Sequence, residues 1–338
     1  MTGFGSMLRD YLEYYKISQT DFADRLGISQ KHMNEIINGK TKISPELMIL
    51  ISLLTNIDVN LILLAEQRKD TYNRLIKEYK TEKEINKMLH SYYLNDIVKK
   101  NWLKLKQPSS FVQNYLDLIE YLGIKDTNSI NNYLNKRFLF KKADSNADNL
   151  KIYLWIKHCD NVIKDIDVNK YDSSKLDDLI KELELERMKK FNVSSLIKIF
   201  NKYGIILYVE DALPGSKVRG CVKVMINTPV IYMTTYMKEK SSFYYTLYHE
   251  LIHLKKDYNK LKNKTIIEED NTEDDTDNSA LECMIPIAIY NEIISNYNNK
   301  EIICKKNNIP LCFLYTRLAK EERISYTSKE YRKNIEKI

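Results

Sequence analysis

Two of the five histidines in this 338-residue chain stand four apart, with a glutamate directly after the first, in "YHELIHLKKD" (248–257). Residues four apart lie on one face of a helix, so the imidazoles of His249 and His253 project within reach of a single ion. Glu250 falls where its carboxylate can address water at a metal without ligating it. This is the H-E-x-x-H arrangement of two zinc ligands plus a general base. The chemistry would be metal-assisted amide hydrolysis, with Glu250 carrying the proton from water to the leaving amine. A working site of this type needs a third protein ligand, often Glu or Asp, leaving one position for water. The expected cofactor is one Zn2+ per chain, with another divalent metal as the alternative. A purely structural zinc site is the competing reading, and an intact Glu250 argues against it.

The elements that must position this pair follow from the hydrophobic period. "YGIILYVED" (203–211), "CVKVMINT" (221–228) and "VIYMTTYM" (230–237) are β-branched and aromatic runs, separated by "ALPGSKVRG" and by Thr228-Pro229 as strands joined by turns. A peptide could align along the run at 221–237 by strand addition. "SSFYYTLYHELIHLKKD" then predicts a helix N-capped by Ser241 or Ser242, with Phe243, Leu247, Leu251 and Leu254 on one apolar stripe. The next helix begins in the acidic block "EEDNTEDDTD" (268–277) and runs through "DNSALECMIP". The block itself reads as a solvated loop between ligands, or as an arm able to fold onto a basic DNA-binding face.

On these residues the C-terminal part resembles the ImmA/IrrE-type metallopeptidases. Their second motif, roughly E-x-x-A-[ND]-x-F-A followed by an apolar pair and a proline, falls without a gap on Glu273, Asp277, Ala280 and Met284-Ile285-Pro286. The resemblance implies Glu273 as the third metal ligand. Thr276, Ser279 and Ile252 depart from the family's usual Ala, Phe and Gly; they remove neither a ligand nor the base, and they leave Asp277 or Asp275 open as the ligand instead. The "LPG" turn and "LYTRLAKEERISY" near the C-terminus follow the family's pattern too. The resemblance implies an α+β zincin-like domain, with repressor cleavage as the family's substrate class.

"ISQTDFADRLGISQKHMNEIINGKTKISPELMIL" (17–50) carries a run of helix boundary signals. Ser18 caps a helix whose apolar positions are Phe22, Ala23 and Leu26. Gly27 ends it, Ser29 caps a second helix with Met33, Ile36 and Ile37 inward, Gly39 stops that one, and Ser44-Pro45 begins another. Two short helices joined by a tight glycine turn form a helix-turn-helix, whose second helix enters the major groove. Its outward side chains, Gln30, Lys31, Asn34 and Glu35, suit base edges. Gln19, Lys40 and Lys42 are placed for phosphates. This stretch resembles the Xre-type family, its HigA antitoxin branch in particular. The resemblance implies a transcription regulator binding a double-stranded operator as a homodimer.

The fold class expected is multidomain and mainly α. A helix-turn-helix bundle (1–75) and a helical middle region (76–190) precede the domain with the small sheet and H-E-x-x-H helix (191–338). Scarce glycine and proline favour long helices. The net charge of +7 allows nucleic acid without requiring it. The odd, scattered cysteines suit a reducing compartment, and no signal pattern opens the chain, so a cytoplasmic protein is expected. The apolar run "LMILISLLTNIDVNLILLA" (47–65) has the length of a membrane span but is interrupted by Asn56, Asp58 and Asn60. It reads as two short buried helices, with no membrane partner. His158 beside Cys159 reads as structural. Two functions compete: a regulator whose zinc endopeptidase cleaves a repressor or toxin partner, and a repressor or antitoxin whose metal domain only senses or docks.

Overall fold

The computed structural model of the chain describes residues 3–137, 148–262 and 273–338. The chain forms two compact units, Met1–Gly123 and Ile124–Ile338, and the middle region 76–190 contributes to both.

The first unit is all helical. Helices α1 (Phe4–Tyr14), α2 (Gln19–Leu26), α3 (Gln30–Ile37), α4 (Pro45–Thr55) and α5 (Val59–Tyr79) surround a core of Phe4, Leu8, Phe22, Met33, Ile36 and Ile51. The caps are those the sequence announces. The hydroxyls of Ser18, Ser29 and Ser44 accept from the backbone N–H groups of Asp21, His32 and Leu47. Gly27 ends α2 in the left-handed conformation. Asn38, rather than Gly39, is the C-cap of α3; Gly39 follows it at φ +66°. Gly5 has no Cβ because none fits, since one would lie 2.3 Å from the Ile36 carbonyl oxygen. Helix α1 thus crosses α3 at backbone contact. The buried carboxylate of Glu66 accepts from the Phe4 N–H and pairs with the buried Lys69, tying α5 to the start of α1. Beyond α5, helix α8 (Phe111–Leu122) packs back on it: Arg68 donates to Gln113 at 2.6 Å, and Tyr72 meets Phe111.

The run 47–65 does form two helices, broken by Asn56 in the left-handed conformation and by Asp58, whose carboxylate caps α5. The expectation that both are short and buried is corrected. Helix α5 extends to Tyr79, and Ile49, Leu50, Leu53, Leu54, Leu61, Leu63 and Leu64 are exposed.

In the second unit a three-stranded sheet, order β1-β3-β2, is formed by β1 (Ile206–Val209), β2 (Gly220–Met225) and β3 (Thr228–Met233). β1 runs parallel to β3, and β2 antiparallel to it. Side chains alternate between its faces. Ile231 and Met233 join the core that also contains Phe243, Leu247, Leu251 and Leu254 of α13 (Lys240–Leu261). Tyr232 points the other way, to α10 (Asn149–Val162), where its hydroxyl donates to Asp160 at 2.6 Å. The same carboxylate pairs with Lys223 at 2.8 Å, and burial, with Asp160 beside it, pushes the Tyr232 phenol up so that it remains a donor.

Two expectations are corrected here. The turn between β2 and β3 is at Ile226–Asn227, and Thr228 and Pro229 lie inside β3, because proline's missing N–H is tolerated opposite Val224 in this ladder. Helix α13 begins at Lys240 with Glu239 as N-cap and no side-chain cap. Ser241 is fully buried and accepts from Thr316, and Ser242 donates to Glu239. Ile226 occupies the left-handed region at φ +61°. A β-branched residue pays roughly 1–2 kcal/mol there.

Helix α14 (Glu273–Met284) packs along α13 and ends on two buried arginines. Arg187 donates to the carbonyls of Cys283 and Met284, each at 3.0 Å, and to that of Asn308 at 3.1 Å. Arg317, from α17 (Leu311–Lys320), donates to the Leu281 carbonyl at 3.2 Å and to that of Ile285, with its guanidinium over the Tyr290 ring. Carbonyls at a helix C-terminus lack intrahelical donors and carry its partial negative charge, so two guanidinium groups suit them. Arg187→Met leaves three carbonyls without this donor and is expected to destabilise the second unit by about 2–4 kcal/mol, read as a lower urea midpoint; an unchanged midpoint would show that α14 is held by other contacts.

Candidate functional site

His249 and His253 emerge from the same face of α13, as their spacing predicts. Their Nε2 atoms lie 3.0 Å apart, with ring centroids at 4.6 Å. The Nδ1 atoms look outward to carboxylates: His249 Nδ1 is 2.9 Å from Asp277 Oδ1, and His253 Nδ1 is 3.6 Å from Asp257 Oδ2. Asp277 at the His249 Nδ1 favours that ring's Nδ1–H tautomer and leaves its Nε2 with a lone pair. The 3.0 Å between the two Nε2 atoms is a hydrogen-bond distance, so that lone pair is answered by the His253 ring or by a cation that both would share. The donor chemistry of the pair therefore fits a metal ion, which takes imidazole nitrogens at about 2.0–2.1 Å.

Glu273 opens α14, but its side chain lies outside the described residues, as does most of the acidic block 268–277. Among the described residues no three of His, Cys, Asp and Glu converge on one point. Asp275 is exposed and ion-paired with Lys256 at 2.7 Å. Asp277, three-fifths buried at its side chain, sits behind His249. Glu250 is buried, and its carboxylate adds to the burial that holds the Cys221 thiol of β2 well above its ordinary pKa.

Three neighbours were not singled out in the sequence. Asp257, at the end of the quoted stretch and four residues after His253, sits at a kink with non-helical backbone (φ −119°), and Lys260 holds its other oxygen at 2.8 Å. Tyr245, one turn before His249, lies beside it with centroids 6.4 Å apart. The Lys320 ammonium sits 3.6 Å over that tyrosine ring. The i+4 spacing could have flagged Asp257; nothing local could have flagged Lys320.

In the first unit, Gln19, Gln30, Lys31, Asn34, Lys40 and Lys42 are exposed and Glu35 is half-buried. Two of them are already engaged. Asn38 donates to the Asn34 side-chain oxygen and backbone carbonyl, so a two-bond pairing of Asn34 with adenine must first displace Asn38. Lys42 donates to Asp70 at 2.5 Å, a contact that raises its pKa, through the hydrogen bond first and then the charge. Arg9 donates to Asn38 at 3.1 Å and steadies the end of α3. Gln19, Gln30, Lys31 and Lys40 are exposed polar side chains of the motif.

Both sites yield expected outcomes. Asp277→Ala should weaken zinc binding about 10–100-fold, as loss of a carboxylate behind a metal-ligating histidine does, in a competition against a chelator; wild-type affinity would remove Asp277 from the site. Lys31→Ala with Lys40→Ala should lower the slope of log affinity against log salt on a duplex by roughly 0.9 per lost phosphate contact, followed by fluorescence anisotropy. Asp70→Asn, which releases Lys42, should raise affinity for the same duplex, and an unchanged value would place Lys42 off the interface.

Residues 8–62 match the helix-turn-helix family model, a span that includes α2, α3 and α4 whole. No curated protein matches the chain, and no solved structure does. The first unit carries a helix-turn-helix of the kind that binds DNA.

Proposed function

We propose that the chain is a DNA-binding transcription regulator whose second unit is a zinc-dependent endopeptidase of the ImmA/IrrE type. Its first unit would bind a double-stranded operator as a homodimer, and its second would cleave a regulatory protein such as a repressor or a toxin–antitoxin partner. The observation that carries the enzymatic half is the pair of Nε2 atoms 3.0 Å apart, with the Asp277 carboxylate 2.9 Å from the His249 Nδ1. His249, His253 and, by the resemblance, Glu273 would hold the ion. When bound, zinc supplies a Lewis acid for the scissile carbonyl and makes water acidic near neutral pH. Glu250 would take the proton from that water and deliver it to the leaving amide nitrogen. Asp277 would hold His249 in its tautomer, and β2, which among the described residues pairs with β3 alone, would offer its other edge to an extended peptide.

The alternative is a repressor or antitoxin whose metal domain senses or docks without cleaving. One observation favours it: Ser279, where the resemblance expects Phe, is drawn into polar contacts with Lys256 and the Asp275 carbonyl.

Metal per chain, measured by elemental analysis on wild type, Glu273→Ala and Glu250→Gln, separates the parts. Near-stoichiometric zinc in wild type and Glu250→Gln, lost in Glu273→Ala, is the expected result. In cells, Glu250→Gln should then alter transcription of the regulated genes while DNA binding persists. Zinc retained with unchanged transcription would sink the endopeptidase and leave the sensor.

A further inference from the structure

Tyr245, His249 and His253 stand at successive four-residue steps of α13, so the tyrosine ring continues the face that carries the two histidines. The ring is buried, with its centroid 6.4 Å from that of His249. On it rests the half-buried side chain of Lys320, the last residue of α17, with its ammonium 3.6 Å from the ring centroid. Contact with an aromatic face holds a cation in place without neutralising it. The two contacts in series put the ammonium one side chain away from the first histidine, on one side of the candidate metal centre.

Strand β2 sets the line along which a peptide would meet it. Its first residue, Gly220, abuts Thr246, since a Cβ there would lie 3.0 Å from the threonine methyl. Just past its other end, the Asn227 carbonyl accepts from the Tyr258 hydroxyl at 3.2 Å. β2 and α13 thus run side by side in one direction, with both histidines between those two contacts. A peptide paired to the outer edge of β2 would cross the metal centre and pass the Tyr245–Lys320 end. Tyr245 precedes the midpoint of the histidines by six helix positions, about 9 Å of axis, which an extended chain spans in roughly three residues. We infer that Lys320 is a specificity residue of the second unit, and that the substrate carries an aspartate or glutamate two or three residues from the bond cleaved. The inference rests on the endopeptidase reading and names the substrate class that reading leaves open. Proton transfer stays with Glu250, and Lys320 holds the substrate carboxylate through a charge-assisted contact.

Two probes that seat a hydroxamate on the metal and differ only at the far end test this. Suberic acid monohydroxamate ends in a carboxylate, and its terminal amide does not. Their affinities for the zinc-loaded full chain are measured by calorimetry on wild type, Lys320→Met and Lys320→Arg. The preference for acid over amide should be about 5- to 10-fold greater in wild type than in Lys320→Met, as one charge-assisted contact gives. Lys320→Arg should keep most of that preference, and added salt should shrink it. Lys320→Met retains an apolar stem over Tyr245, so the melting temperature should be unchanged and the loss is one of charge. An acid-to-amide ratio equal in wild type and Lys320→Met overturns the inference and leaves the endopeptidase reading in place. A zinc-loaded chain that binds neither probe, or a chain that takes up no zinc, fails that reading and the inference together.

Discussion

Two guanidinium groups hold the C-terminal end of α14, and the candidate metal centre is built on what they hold. The helix carries Asp277 to His249, and it also bears Glu273. Its far end exposes carbonyls to a low-dielectric interior, where an unpaired carbonyl is costly and a lone arginine equally so. Arg187 and Arg317 solve both problems at once, each charge answered by carbonyl dipoles and, for Arg317, by Glu321 at 2.9 Å. These residues come from elements far apart in sequence. The register of α14 along α13 is therefore set by long-range polar contacts as much as by apolar packing.

The first unit depends on a different constraint, the backbone contact of α1 with α3 at Gly5. Because that contact fills the space beneath α3, the polar side of the helix is left to solvent, with Gln30 and Lys31 at its N-terminal turn. The first unit thus seats one helix on another by omitting a side chain, and adds a buried ion pair, Glu66 with Lys69, to tie α5 to α1.

Much of this was legible in the sequence, for definite reasons. The three serine caps are local, each satisfied within three residues, so their pattern survives in any tertiary context. The histidine pair is equally local, and the helix period alone brings the imidazoles together. Where tertiary packing decides, local chemistry is no guide. Ser241 has the chemistry of a cap, but a buried partner, Thr316, claims its hydroxyl and the helix starts earlier. Thr228-Pro229 has the chemistry of a turn, but the hairpin closes at a strained Ile226 that no propensity would choose. The exposed side of α4 is not legible in sequence, because an apolar run does not say which of its faces is covered. Lys42 with Asp70 and Lys320 over Tyr245 are invisible in sequence, since their residues are distant in the chain.

The break between α4 and α5 has a consequence for the solvent this segment meets. A continuous helix through 47–65 would present about 28 Å of almost unbroken apolar length, close to the ~30 Å of a bilayer's hydrocarbon. Asn56, in the left-handed conformation, and Asp58, capping α5, stop α4 after 11 residues, about half that depth. The same leucines then lie along two packed helices as a broad face rather than along one rod. With the apolar length divided in this way, neither helix is long and apolar enough to cross a membrane.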